Sequence, residues 1–102
     1  MEVSNSYTAF AQEAPEQHNA WQDMVQTMGA ASPLDPKTKA LAYLSVLATA
    51  RLHSGIPFHV LQAKQSGASK DEVIGSILLA LPAAGMAVLQ ALPIALSAFG
   101  ED

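Results

Sequence analysis

The chain of 102 residues contains no cysteine. That excludes disulfides, zinc–thiolate sites, iron–sulfur clusters, a thiol nucleophile and dithiol redox chemistry. Positive charge is also scarce, with five Lys and Arg against nine Asp and Glu and a net charge of −4. A nucleic-acid partner would need a basic stripe, and there is none. Charge of either sign is low at 14% of residues, while hydrophobic residues make up 50%. An average soluble domain carries roughly 25% charged residues. A chain of this size folds as one domain with roughly 5,500 Å² of surface. As a monomer with so few charges it would leave broad apolar patches in water. The composition therefore predicts a homo-oligomer that hides part of this surface.

A membrane is the other way to hide apolar surface, and the segment from Val73 to Phe99 carries no charge. However, Gly75, Pro82, Gly85 and Pro93 interrupt it, and no Lys or Arg follows it. We therefore read it as a buried, oligomeric helix pair with a bend near Pro93. The opening Met1-Glu2-Val3-Ser4-Asn5 has neither a basic nor an apolar leader region, so a cytoplasmic location is expected.

Residues 1–12 are weakly patterned and read as a loose arm, leaving residues 13–102 as a single helical domain. Pro15 can occupy a first helical turn. Trp21, Met24, Val25 and Met28 then recur at i, i+3, i+4 and i+7, and Gly29 is the expected stop. Asp35-Pro36 is an N-cap followed by a first-position proline. The helix it opens is apolar on nearly every side from Ala40 to Leu52, which predicts burial on most sides. Ser54-Gly55 and Pro57 interrupt it, and a third helix runs to Ser66 and stops at Gly67. Ser69 and Glu72 have the spacing of a capping box for a fourth helix, and Met86–Phe99 forms a fifth. No segment alternates with period two, so the fold class is all-α with about five helices.

Few residues could carry chemistry. His53, His59, Arg51, Tyr43, Ser45 and Ser54 stand among aliphatic neighbours, where a polar group must be satisfied or functional. Gly55 lies one turn before His59, a spacing that would leave open space over the imidazole. Such a histidine is either a base poised near neutral pH or a core residue bonded to a backbone carbonyl. His53 and His59 are six residues apart, with no acid nearby in sequence, so no metal site is expected and no cofactor either. His18, in the polar first helix, reads as solvated, and Ser45 as bonded to its own helix backbone.

Several of these residues together resemble a known family. Leu34-Asp35-Pro36-Lys37-Thr38-Lys39, an apolar helix, His59-Val60, Ala63-Lys64, Gly67-Ala68-Ser69 and Asp71-Glu72-Val73-Ile74 are similar to the carboxymuconolactone decarboxylase and alkylhydroperoxidase D superfamily, over about residues 34–99. The resemblance implies a compact all-helical subunit in trimers or hexamers, with sites near subunit contacts. Its alkylhydroperoxidase branch carries a Cys-x-x-Cys pair and a glutamate. Here the cysteine positions fall on Leu52 and Gly55, the tyrosine between them on Ser54 and the glutamate on Ala40, while only the histidine survives, as His59. The chain by itself cannot be a dithiol peroxidase. The decarboxylase branch implies a lyase reaction on a small anionic cyclic acid, with Arg51, His59 and His53 as candidate catalytic groups. Tyr43, Ser54 and Gly55 would then bind substrate. The alternative is a family member without catalysis, acting as a small-ligand binder or structural oligomer.

Overall fold

A computed structural model describes residues 5–101. Among them there is no strand, and the fold is all-α. Seven α-helices are present: α1 (Asn5–Glu13), α2 (Pro15–Ala31), α3 (Pro36–Ala50), α4 (Ile56–Gln65), α5 (Lys70–Leu78), α6 (Leu81–Ala84) and α7 (Ala91–Phe99). Short 3₁₀ turns at His53–Gly55 and Met86–Gln90 precede α4 and α7. No helix among the described residues is long and apolar enough to cross a membrane.

By compactness the chain divides between Leu34 and Asp35 into two units. In the first unit, residues 5–12 of the expected loose arm are helical, while residues 1–4 lie outside the described residues. Proline biases its predecessor out of the α region, and Ala14 (φ −136°, ψ 62°) breaks the chain between α1 and α2 just before Pro15. Tyr7 and Phe10 of α1 pack edge-on against His18 and Trp21 of α2. His18 is therefore half-buried rather than solvated, and its Nε2 lies 2.9 Å from the Tyr7 hydroxyl. Among the described residues these ring contacts come from two side chains of α1, too few to register as a periodic pattern. α2 continues two residues past Gly29, to Ala31.

The second unit, residues 35–102, is built on α3, α4, α5 and α7. α3 packs on α4 and α5, and α7 packs on the same two. Leu44, Ile56, Val60, Val73 and Ile77 are fully buried between them, and among the described residues no polar residue is buried with them. Ala63, Ala91 and Ala95 let α4 and α7 approach closely. Seven of the fifteen buried apolar residues, from Val73 to Phe99, come from the charge-free run. Much of that run is thus the chain's own core. What it leaves outside is mainly Leu79, 76% exposed, and Met86, 70% exposed.

The starts of the helices follow local chemistry. Asp35 Oδ1 accepts from the Thr38 N–H at 2.8 Å, which holds the Asp35 carboxyl below its usual range. Ser69 and Glu72 form the reciprocal capping box, with bonds of 2.9 and 3.0 Å. The Ser69 N–H and then Lys37, 2.9 Å away, lower the Glu72 carboxyl. Five of the six prolines stand within the first three residues of a helix. Pro93 is one of them, so its missing N–H leaves no helical bond broken. Gly85, at φ 89°, separates α6 from the 3₁₀ turn that leads into α7.

Candidate functional site

The candidate residues cluster around the passage from α3 to α4. α3 ends in a Schellman motif: the Leu52 N–H bonds the Leu47 carbonyl at 3.0 Å, and the Arg51 N–H bonds the Ala48 carbonyl at 3.3 Å. The residue this motif places in the left-handed region is Arg51, at φ 59°, ψ 35°. α4 ends in the same motif, but there the left-handed residue is Gly67, at φ 98°. Arg51 is the only non-glycine residue with positive φ among those described.

The side chain of Arg51 is also unusual among the chain's cations. Lys37 pairs with Glu72. The Lys64 ammonium donates to the Phe99 carbonyl at 2.7 Å and lies over the Phe99 ring. Lys70 faces the same ring at 6.0 Å, and Lys39 is engaged as well. Of the five Lys and Arg, only the exposed Arg51 guanidinium has no hydrogen bond, ion pair or ring contact among the described residues. Among the described residues, Arg51 thus combines a cation without a partner with a backbone conformation that its residue type disfavours.

His59 stands in the second turn of α4, half-buried. The Tyr43 ring of α3 lies 4.4 Å from it and the Phe58 ring 5.1 Å, both between centroids. Its Nδ1 is 3.1 Å from Oε1 of Gln62, one turn further along. Burial against these rings pushes the imidazole below the usual histidine value, and the bond to Gln62 pulls weakly the other way. The result is an imidazole shifted toward its neutral form, flanked by two aromatic rings and still reached by solvent. It is not the sealed, carbonyl-bonded histidine of a core.

Other candidates fall differently. Gly55 does not open space over His59, because a Cβ there would sit 3.6 Å from the Leu47 methyls, in ordinary contact. The Nε2 of His53 is shut off from solvent and has no hydrogen-bond partner, which sets it apart from the accessible His59. Ser54 is exposed. No hydrogen bond, ion pair or ring contact joins Arg51, His53 or Ser54 to His59 among the described residues. Tyr43 is the one predicted binding residue that meets it. The back-bonding expected of Ser45 is made by Thr49, whose hydroxyl donates to the Ser45 carbonyl at 2.8 Å. Nor is α3 buried on most sides, as expected: Ala40, Leu44, Leu47 and Ala48 are buried, whereas Tyr43 and Val46 face outward. Gln62 was not among the candidates. Its signal was the i, i+3 spacing from His59.

Among the described residues no group of three His, Asp or Glu could hold a metal ion. A groove of about 470 Å³ lined by Pro57, Pro93, Ile94, Ser97 and Ala98 contains no titratable side chain.

The model of the carboxymuconolactone decarboxylase family matches residues 15–97. The chain belongs to that family. None of the curated proteins and none of the solved structures matches it. The family match spans α2 through most of α7, and so includes every residue of the candidate site. Within this family member, the position expected to hold the relay glutamate is Ala40, 6% exposed in the apolar core, where an unpaired carboxylate would be costly.

Proposed function

We propose that the protein carries out decarboxylase-type proton transfer on a small, flat, anionic acid, with His59 as the proton carrier and Arg51 as the anchor for the carboxylate. The observation that carries this reading is the solvent-reachable imidazole of His59 between Tyr43 and Phe58. The two rings offer apolar walls to a planar substrate. An anion seated against the imidazole raises its proton affinity, so binding takes up a proton. As the bond to the carboxylate carbon breaks, carbon dioxide leaves, its electron pair remains on the substrate carbon, and His59 delivers the proton there. The role falls on His59 rather than His53 because the His53 Nε2 is closed to a ligand. Arg51 supports the reading by its unpaired guanidinium. Peroxidase chemistry through a disulfide is ruled out for the chain by its lack of cysteine.

The site is shallow within one chain, and Tyr43, Val46, Leu52 and Phe58 remain exposed beside it. We take the functional form to be a homo-oligomer that covers these side chains and narrows the site. A ligand binder without turnover is the second reading, favoured by the apolar residues at Ala40 and Leu52 where the peroxidase branch has its relay.

The test is turnover of an unsaturated lactone carrying a carboxylate, followed by carbon dioxide release, with wild type and His59→Gln. Loss of a general acid should lower kcat by roughly 10²–10⁴-fold. Unchanged turnover in His59→Gln would overturn the reading. Binding of the lactone acid without any carbon dioxide release would establish the second one.

A further inference from the structure

We propose that Gln62 is a positioning residue, which fixes His59 as the Nδ1–H tautomer and leaves Nε2 as the open nitrogen. The inference rests on the functional reading of His59 only for what the open nitrogen is used for; the tautomer itself follows from geometry.

His59 and Gln62 stand three residues apart on α4, where side chains of one helical face meet. Oε1 of Gln62 lies 3.1 Å from Nδ1 of His59. An amide oxygen only accepts, so the nitrogen facing it must carry the proton. In a neutral imidazole the other nitrogen then holds the lone pair. The groups facing the ring are Tyr43 from α3 together with Phe58 and Gln62 from α4, and no hydrogen bond to Nε2 is made by any of them. The two rings restrict the imidazole from the side while Gln62 restricts its rotation. The one nitrogen left for a proton in transit is therefore Nε2. Gln62 is exposed and makes no other side-chain hydrogen bond, so its contribution to folding is small while its effect on the imidazole is direct.

The experiment is ¹⁵N NMR of the His59 ring in the intact protein, in wild type, Gln62→Leu and Gln62→Glu, alongside the lactone-acid assay. In wild type at pH 8, Nδ1 should resonate as the protonated nitrogen and Nε2 as the bare one. Gln62→Leu should lose that preference and titrate at lower pH, because the acceptor that favours the protonated ring is gone. Gln62→Glu retains an acceptor oxygen, so it should restore the Nδ1–H form and titrate at higher pH. Thermal unfolding of the leucine variant should match wild type, separating orientation from folding. In turnover, Gln62→Leu should lose roughly 3–10-fold in kcat with KM nearly unchanged, as expected for the loss of one neutral hydrogen bond. A wild-type ring protonated on Nε2, or the same tautomer in wild type and Gln62→Leu, overturns the proposal. If the tautomer follows Gln62 while His59→Gln keeps full activity, the positioning stands and the proposed reaction falls.

Discussion

Replacing Arg51 by glycine should make the protein more stable and less able to hold an anion. The backbone at this residue is left-handed, φ 59°, ψ 35°, and the Schellman motif requires it. For a residue with a Cβ that conformation costs about 1–2 kcal/mol. Glycine removes the strain but is freer in the unfolded chain, which takes back about 0.5–1 kcal/mol. The guanidinium makes no contact whose loss must be subtracted. The net expectation is a gain of about 0.75 kcal/mol, the middle of the resulting range, or about 3–6 °C in Tm for a domain of this size. Arg51→Ala is the control: it removes the same charge but keeps a Cβ in the left-handed region, so it should not gain stability. Urea unfolding and calorimetry measure the first effect. Titration with a lactone acid or a small aromatic carboxylate measures the second, and both variants should bind it at least about tenfold more weakly, the worth of one charge-assisted hydrogen bond. A glycine variant less stable than wild type would show that the arginine stem packs after all. A stabilised variant with unchanged anion binding would refute the anchoring role.

Three further outcomes are expected. Gly55→Ala should be tolerated or stabilising by about 0.4–1 kcal/mol in urea unfolding, because the new Cβ meets the Leu47 methyls at ordinary distance and the backbone has φ −86°; a loss above that size would mean that the turn needs the open space. Ser69→Ala should cost about 1 kcal/mol in the same measurement by opening the capping box, and Ser69→Asp should recover most of it. The folded protein holds His59 below its unfolded pKa, so the unfolded state binds the proton first and stability is lost as pH falls from about 6.5 through the folded value. His59→Gln should flatten that part of the stability–pH curve and leave the curve above pH 7 unchanged; an unaltered curve would mean that the imidazole is not desolvated.

The starts of α2, α3 and α5, and the chemistry that is excluded, are legible in the sequence alone. Asp35-Pro36, Pro15 and the Ser69–Glu72 box act within one helical turn, through contacts three or four residues apart, so they are visible without knowing the fold. Gly67 announces the end of α4 for the same local reason, and the absence of cysteine settles the dithiol question by composition alone. The LDPKTK opening and the His59-to-Ile74 run were enough to place the chain in its family. The tertiary structure decided which side of each apolar segment turned inward. α3 is apolar nearly all round, so no pattern could separate the buried Leu44 and Leu47 from the exposed Tyr43 and Val46; packing on α4 and α5 makes that choice. The same packing sets Leu47 against Gly55 and brings Tyr43, sixteen residues away in sequence, onto His59. His18 follows this rule too: it sits in a polar helix and is half-buried only because Tyr7 and Phe10 of another helix fold back onto it. Helix caps are local chemistry and can be read from neighbours in sequence, whereas burial is a property of the face that meets another element, fixed only when the helices pack.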